Sequence, residues 1–305
     1  MKDQQLVSLT PERVVTPQWT EIVAAAKLGW TSARFQGIDI GPGTVDSRLQ
    51  DGVVSFIPVD LTVSGGRVLL TPELDLRREP LLMRIPAGPL AERVQILPEM
   101  CRTWLKYVAP LVADATAVEG ELSITLEESL VPLSAPAAGD IGGVLDIHTL
   151  QVGPGALTQQ FLLLADQLKN ILERNPSSNQ RSGSQRWVRL PEQQVAFHLK
   201  ENRVHHEGLQ LVVDDVVIRT SGSVGLDQSL SMVATVPIQD EWVVGDRYLS
   251  ALRGQTLQVP VRGTLSNPKL DVRVLDQLAQ QFLGGAAKRL IEQELGRGLQ
   301  RLLGQ

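Results

Sequence analysis

From Val59 the chain reads Val-Asp-Leu-Thr-Val-Ser, so Val59, Leu61 and Val63 alternate with Asp60, Thr62 and Ser64. The same period of two recurs at Leu122, Ile124 and Leu126 against Glu121, Ser123 and Thr125, and at Leu209, Leu211 and Val213. Near the C-terminus Leu257, Val259, Val261 and Leu265 alternate with Gln258, Arg262 and Thr264. Successive side chains of a strand point to opposite sides, so each segment has one dry and one wet face. Parallel strands would read as continuous apolar runs joined by long crossovers, which are absent here. The pattern therefore predicts a mostly antiparallel sheet. Gly65-Gly66, Asp214-Asp215, Ser221-Gly222-Ser223 and Ser266-Asn267-Pro268 are read as its turns.

The chain has 305 residues, enough for one large domain or two ordinary ones. Aromatics are 4% of the residues, so the apolar surface is almost entirely aliphatic. A net charge of −5 without a basic patch argues against nucleic acid and gives no general attraction to an anionic membrane. The single cysteine, Cys101, excludes an intrachain disulfide and reads as a small core residue. No run approaches the roughly 18 apolar residues that a membrane-spanning helix needs. The first residues, MKDQQLVSLTPERVV, lack the apolar centre of a signal peptide. A chain complete as given would thus be cytoplasmic; the other setting is a segment of a longer protein.

An internal repeat organises the sequence. Residues 51–76 align without a gap on residues 201–226, with Val54 on Val204, Leu61 on Leu211, Val63 on Val213 and Leu76 on Leu226. A strand ending in Ile-Pro or Val-Pro follows each copy, then a helix-like segment with Trp104 or Trp242, then a short Gly-x-Leu strand. The expected units are residues 1–174, a polar linker 175–185, and residues 186–305. Helices are expected over 18–29, with Trp19, Ile22, Val23 and Ala26 on one face, over 98–113 with a break at Pro110, and over 157–174. A terminal helix, about 275–303, would carry Leu275, Leu278, Phe282, Leu290, Leu295, Leu299 and Leu302 along one stripe.

No catalytic set emerges. The phosphate-loop, dinucleotide-loop, nucleophile-elbow and zinc-protease patterns are all missing. Ser221-Gly222-Ser223-Val224-Gly225 has no helix behind it. Gly41-Pro42-Gly43 and Gly153-Pro154-Gly155 are read as strand boundaries without a helix N-terminus to hold phosphate. His198 and His205 would meet across a hairpin at Glu201-Asn202, while His205 and His206 face opposite ways. A metal site needs a third ligand there, so His148, His198, His205 and His206 are read as solvated strand residues and no metal or cofactor is expected.

What remains is a sheet with an apolar face. Helices could close it as an ordinary core, or part of it could stay open as a trough for hydrocarbon. The expected lining is Val59, Leu61, Val63, Leu122, Ile124, Leu209, Leu211 and Val213, continued by the apolar positions farther along. The stretch VPVRGTLSNPKLD at 259–271 and the preceding SGSVGLDQSLSMVATVPI at 221–238 resemble the closing strands of AsmA-like and TamB-related bacterial envelope proteins. That resemblance implies a mainly β, α+β fold: a curved, repeating antiparallel sheet forming an apolar groove, with a few covering helices and the amphipathic terminal helix. It adds Val224, Leu226, Leu230, Met232, Val259, Val261 and Leu265 to the lining. It implies a non-enzymatic role in lipid transport or outer-membrane assembly, with phospholipid or another acyl chain as ligand. It also implies membrane-associated partner proteins, and a periplasmic location within a longer anchored protein. The alternative is a structural module with a closed core that recruits a protein through its sheet edges and terminal helix.

Overall fold

The computed structural model describes residues 18–35, 38–153, 155–173, 187–213, 216–239 and 254–274. The protein is mainly β, and every strand pairing is antiparallel. A fourteen-stranded sheet takes its strands in chain order: Ala33–Phe35, Ile38–Ile40, Val59–Val63, Gly66–Leu70, Gly88–Gln95, Val118–Leu126, Ile141–Val152, Val188–Leu190, Gln193–Lys200, Arg203–Val213, Val216–Gly225, Leu230–Pro237, Thr256–Gly263 and Pro268–Leu270. A second, six-stranded sheet is built from Ala24–Trp30, Gly43–Gln50, Val53–Phe56, Glu73–Asp75, Leu82–Ile85 and Ser129–Pro132.

The chain shuttles between the two sheets. Up to Pro132, each run of strand starts in one sheet and ends in the other, with a two-residue interruption. The interruptions fall at Thr31-Ser32, Gly41-Pro42, Ile57-Pro58, Thr71-Pro72, Pro86-Ala87 and Glu127-Glu128. Four of these six pairs contain proline, which has no N–H for a ladder bond and fixes its own φ. A row of such positions splits one long ladder into two sheets.

The second repeat does this more gently. The offset of 150 (201 − 51) places Glu207-Gly208 on Ile57-Pro58 and Ser221-Gly222 on Thr71-Pro72. There the strands continue through a bulge: the register shifts between His206 and Leu209, and Gly208 and Gly222 take φ of 71° and 137°. The aligned turns agree as well, since Asp51-Gly52 and Glu201-Asn202 all have positive φ. Both repeat units share the fourteen-stranded sheet without interruption.

One face of that sheet is covered. Helix Ala156–Glu173 buries Leu157, Phe161, Leu164, Ala165 and Leu168 in the core. The segment from Pro98 to Val108, which includes a π-helical turn at Cys101–Leu105, buries Met100, Cys101 and Leu105. Pro110 then ends it at Ala109 and begins a short 3-10 turn, as the sequence suggested. No helix among the described residues is long and apolar enough to cross a membrane.

Several local expectations are corrected. Residues 18–29 are not a helix: a 3-10 turn at Gln18–Glu21 leads into strand Ala24–Trp30. The helix propensity of Ala24-Ala25-Ala26 yields to ladder pairing with Gly43–Gln50. Ser221-Gly222-Ser223 lies inside strand Val216–Gly225, because the bulge absorbs its irregularity. Pro268, read above as part of a turn, already pairs in strand Pro268–Leu270. Gly155 does open a helix, but a Cβ there would lie 2.1 Å from the Ala113 carbonyl oxygen, so chain already occupies that space. The linker 175–185, the Trp242 segment, Asp214-Asp215 and the whole terminal-helix stripe from Leu275 to Leu302 lie outside the described residues.

Candidate functional site

Of the expected lining, all but Leu61 and Leu226 are buried: Val59, Val63, Leu122, Ile124, Leu209, Leu211, Val213, Val224, Leu230, Met232, Val259, Val261 and Leu265. All of these except Val59 belong to one core cluster with Phe161 and Met100. In the fourteen-stranded sheet these side chains are therefore packed as core. The half-open apolar surface lies elsewhere, on the six-stranded sheet.

Register builds that surface. Ala24 pairs with Leu49, Leu49 with Val54, Val54 with Leu74, Leu74 with Met83 and Met83 with Val131. Directly opposed residues share a face, so these six positions form one apolar row across all six strands. A second row, Ala26, Ser47 and Phe56, and a third, Leu28 and Val45, extend the same face. Six strands at about 4.8 Å spacing span about 24 Å, longer than the about 15 Å hydrocarbon depth of one bilayer leaflet. Leu49, Val54, Phe56, Leu74 and Met83 keep partial contact with solvent, and Leu28 is 67% exposed. The face is continuous with the core, because Ile85, two residues beyond Met83 on the same side of the strand, packs against it. At the junction the Trp30 indole donates to the Gly41 carbonyl at 2.9 Å. Gly43 lets that ring approach: a Cβ there would be 2.8 Å from Trp30 and 2.5 Å from Leu61.

The opposite face is wet and charged. Lys27 meets Asp46 at 3.2 Å, Arg84 meets Glu128 at 2.6 Å and Glu73 at 3.5 Å, and Arg77 meets Asp75 at 2.8 Å. The Arg77 side chain, hydrogen-bonded to Asp75, holds that carboxyl below its ordinary range. Such exposed pairs add little stability, but they mark which side faces water.

The fourteen-stranded sheet carries polar groups that local pattern did not reveal. Ser123 Oγ lies 2.8 Å from His148 Nε2 and accepts the Arg93 backbone N–H at 3.0 Å. A nucleophilic set also needs a group that orients the histidine. His148 has no such carboxylate among the described residues. His198 and His205 do pair in register, as expected of their hairpin, and His198 contacts Asp140 at 2.5 Å. No cluster of metal-ligating side chains forms among the described residues. His206 departs from the solvated reading: it is 1% exposed, on the core face. Thr220 donates to the Leu209 carbonyl at 3.4 Å and so accepts from His206 Nε2–H at 3.3 Å, leaving Nδ1 without a partner. Burial, with the neighbouring His205, lowers its pKa to about 4. Burial likewise pushes the Cys101 thiol up to about 12.

No family model, curated protein or solved structure matches the chain.

Proposed function

We propose that this chain is a non-enzymatic lipid-handling module of a bacterial envelope, and that it shields an acyl chain on the apolar face of its six-stranded sheet. The observation that carries the reading is the in-register row Ala24, Leu49, Val54, Leu74, Met83 and Val131, an aliphatic strip only partly withdrawn from water. It has no charged side chain within it, as a hydrocarbon ligand requires. Fully burying sixteen methylenes recovers about 13 kcal/mol. A trough that covers one side of the tail recovers about half, roughly 6 kcal/mol, which corresponds to binding in the tens of micromolar. Affinity of that order suits shielding and transfer better than storage. The resemblance of residues 221–238 and 259–271 to AsmA-like proteins supports the envelope setting.

The test is uptake of an uncharged fluorescent acyl probe by the purified protein and two variants. Met83→Asp places a charge in the row and should abolish uptake with the circular dichroism spectrum unchanged. Leu211→Asp, in the closed core, should instead unfold the protein. A folded Met83→Asp protein that takes up probe as the wild type does would reject the reading.

A second reading rests on a different observation. Strands Ala24–Trp30 and Ala33–Phe35 form the same lateral edge of the two sheets, and all of their residues but Trp30 are exposed. Neither strand contains proline, and Phe35 is 66% exposed. An edge so little protected invites strand addition by a partner protein. A stoichiometric protein partner displaced by proline at Ala25 or Lys27 would favour it.

A further inference from the structure

A cleft of about 530 Å³ lies along the first three strands of the six-stranded sheet, where the charged-face residues Lys27, Asp46, Arg48 and Ser55 flank the backbone of the row Ala26, Ser47 and Phe56. It is lined by three neighbouring strands: Ala25, Ala26 and Lys27; Asp46, Ser47 and Arg48; Ser55 and Phe56, with Ile57 just beyond. Register puts Ala25, Arg48 and Ser55 in one row on the charged face, and Lys27 and Asp46 in the next. Its size is within the range of small-molecule sites. We propose that it receives the phosphate of an anionic phospholipid whose acyl chain lies on the apolar face; the inference rests on the function proposed above.

Charge is the first support. Lys27 is neutralised by Asp46 at 3.2 Å, whereas the exposed Arg48 has no carboxylate partner among the described residues. The cleft thus keeps one net positive charge on a chain whose total is −5. The next acidic side chain along the Arg48 row is Glu73, beyond Ser55, and Arg84 engages it at 3.5 Å. Arg48 and Lys27 are diagonal neighbours on adjacent strands, about 7 Å apart. That spacing lets the guanidinium fork and the ammonium approach one phosphate from two sides. The Ser55 hydroxyl, opposite Arg48, adds a neutral donor.

Position is the second support. Ala24–Trp30 is the edge strand, so only one strand's width separates the cleft from the apolar face. Leu28 on the far side of that strand is 67% exposed, and Ile57 at the cleft rim is 60% exposed. A lipid can keep its phosphate beside Arg48 and turn its tail around the edge over Leu28, without carrying a charge across the apolar row. A free phosphate ion would use the same donors but gain nothing from Leu28 or Ile57.

The experiment compares binding of the full chain to phosphatidylglycerol vesicles, phosphatidylcholine vesicles, inorganic phosphate and an uncharged acyl probe. The wild type should prefer phosphatidylglycerol by about tenfold, because the choline cation of phosphatidylcholine offsets the phosphate charge that Arg48 would meet. Arg48→Gln should remove that preference and leave uptake of the uncharged probe unchanged. Lys27→Gln should weaken it as well, because loss of the ammonium frees Asp46 to offset the Arg48 charge. Probe uptake without a lipid preference, or a preference that survives Arg48→Gln, would overturn the headgroup site and leave the proposed function standing. Inorganic phosphate competing as well as the lipid would overturn it too. Failure of probe uptake would overturn both.

Discussion

His206 should make this protein acid-sensitive. Its imidazole is buried between the register neighbours Phe197 and Gly222, with Nε2 bonded to Thr220 and Nδ1 unpartnered. Burial and the adjacent His205 hold its pKa at about 4 in the folded protein, against 6.5 for the free side chain. Above about pH 6.5 it is neutral in both states and has no effect on stability. As pH falls from there to about 4, the unfolded chain takes up a proton that the folded one refuses, so stability drops, and below about 4 the loss is complete. At about 1.4 kcal/mol for each pH unit in that window, the loss is about 3 kcal/mol, a large part of the 5–15 kcal/mol typical of a folded protein. The assay is urea unfolding of the wild type and His206→Leu between about pH 7.5 and about pH 4.5. Leucine cannot titrate, and Thr220 keeps its bond to Leu209. The wild type should lose about 3 kcal/mol more than the variant over this range. Equal losses in the two proteins would refute the argument, and a larger loss in the variant would reverse its sign. The paired carboxylates do not blur the comparison. Asp39, Asp60, Asp75 and Asp271 are held below 3.8, each by an arginine hydrogen bond, and they titrate below the window in both proteins.

Two further outcomes follow from the core. Phe161 is fully buried on the helix that covers the large sheet, so Phe161→Ala should cost about 3–5 kcal/mol in chemical unfolding. Cys101 is fully buried and its thiol is pushed up to about 12, so it should resist maleimide in the native protein and react readily once denatured.

The sequence made the strands of the large sheet legible because each has one covered face. The alternations at 59–63, 122–126, 209–213 and 257–261 correspond to strands whose alternating apolar side chains, Leu61 excepted, are buried. An offset of 150 residues carries the positive-φ turn at Asp51-Gly52 onto Glu201-Asn202 and the interruption at Ile57-Pro58 onto the bulge at Glu207-Gly208. Three things were hidden. Pro58, Pro72 and Pro86 look locally like strand ends, although each long strand resumes after the interruption and enters another sheet. The apolar row was hidden because register, not composition, brings Leu49, Val54, Leu74 and Met83 together, and register depends on turns placed far apart in the chain. Ala24 to Ala26 read as helix formers because nothing local announces the ladder they join. The cleft is equally non-local, since Lys27 and Arg48 meet only through the pairing of Ala24–Trp30 with Gly43–Gln50.

The most direct measurement is photocrosslinking with a diazirine-bearing acyl chain, followed by mapping of the labelled residues. Labels should concentrate on Leu49, Val54, Phe56, Leu74 and Met83 and spare the closed core at Leu211 and Val259. Labels scattered over the surface, or confined to the large-sheet core, would contradict the assignment of the six-stranded sheet as the hydrocarbon-binding face.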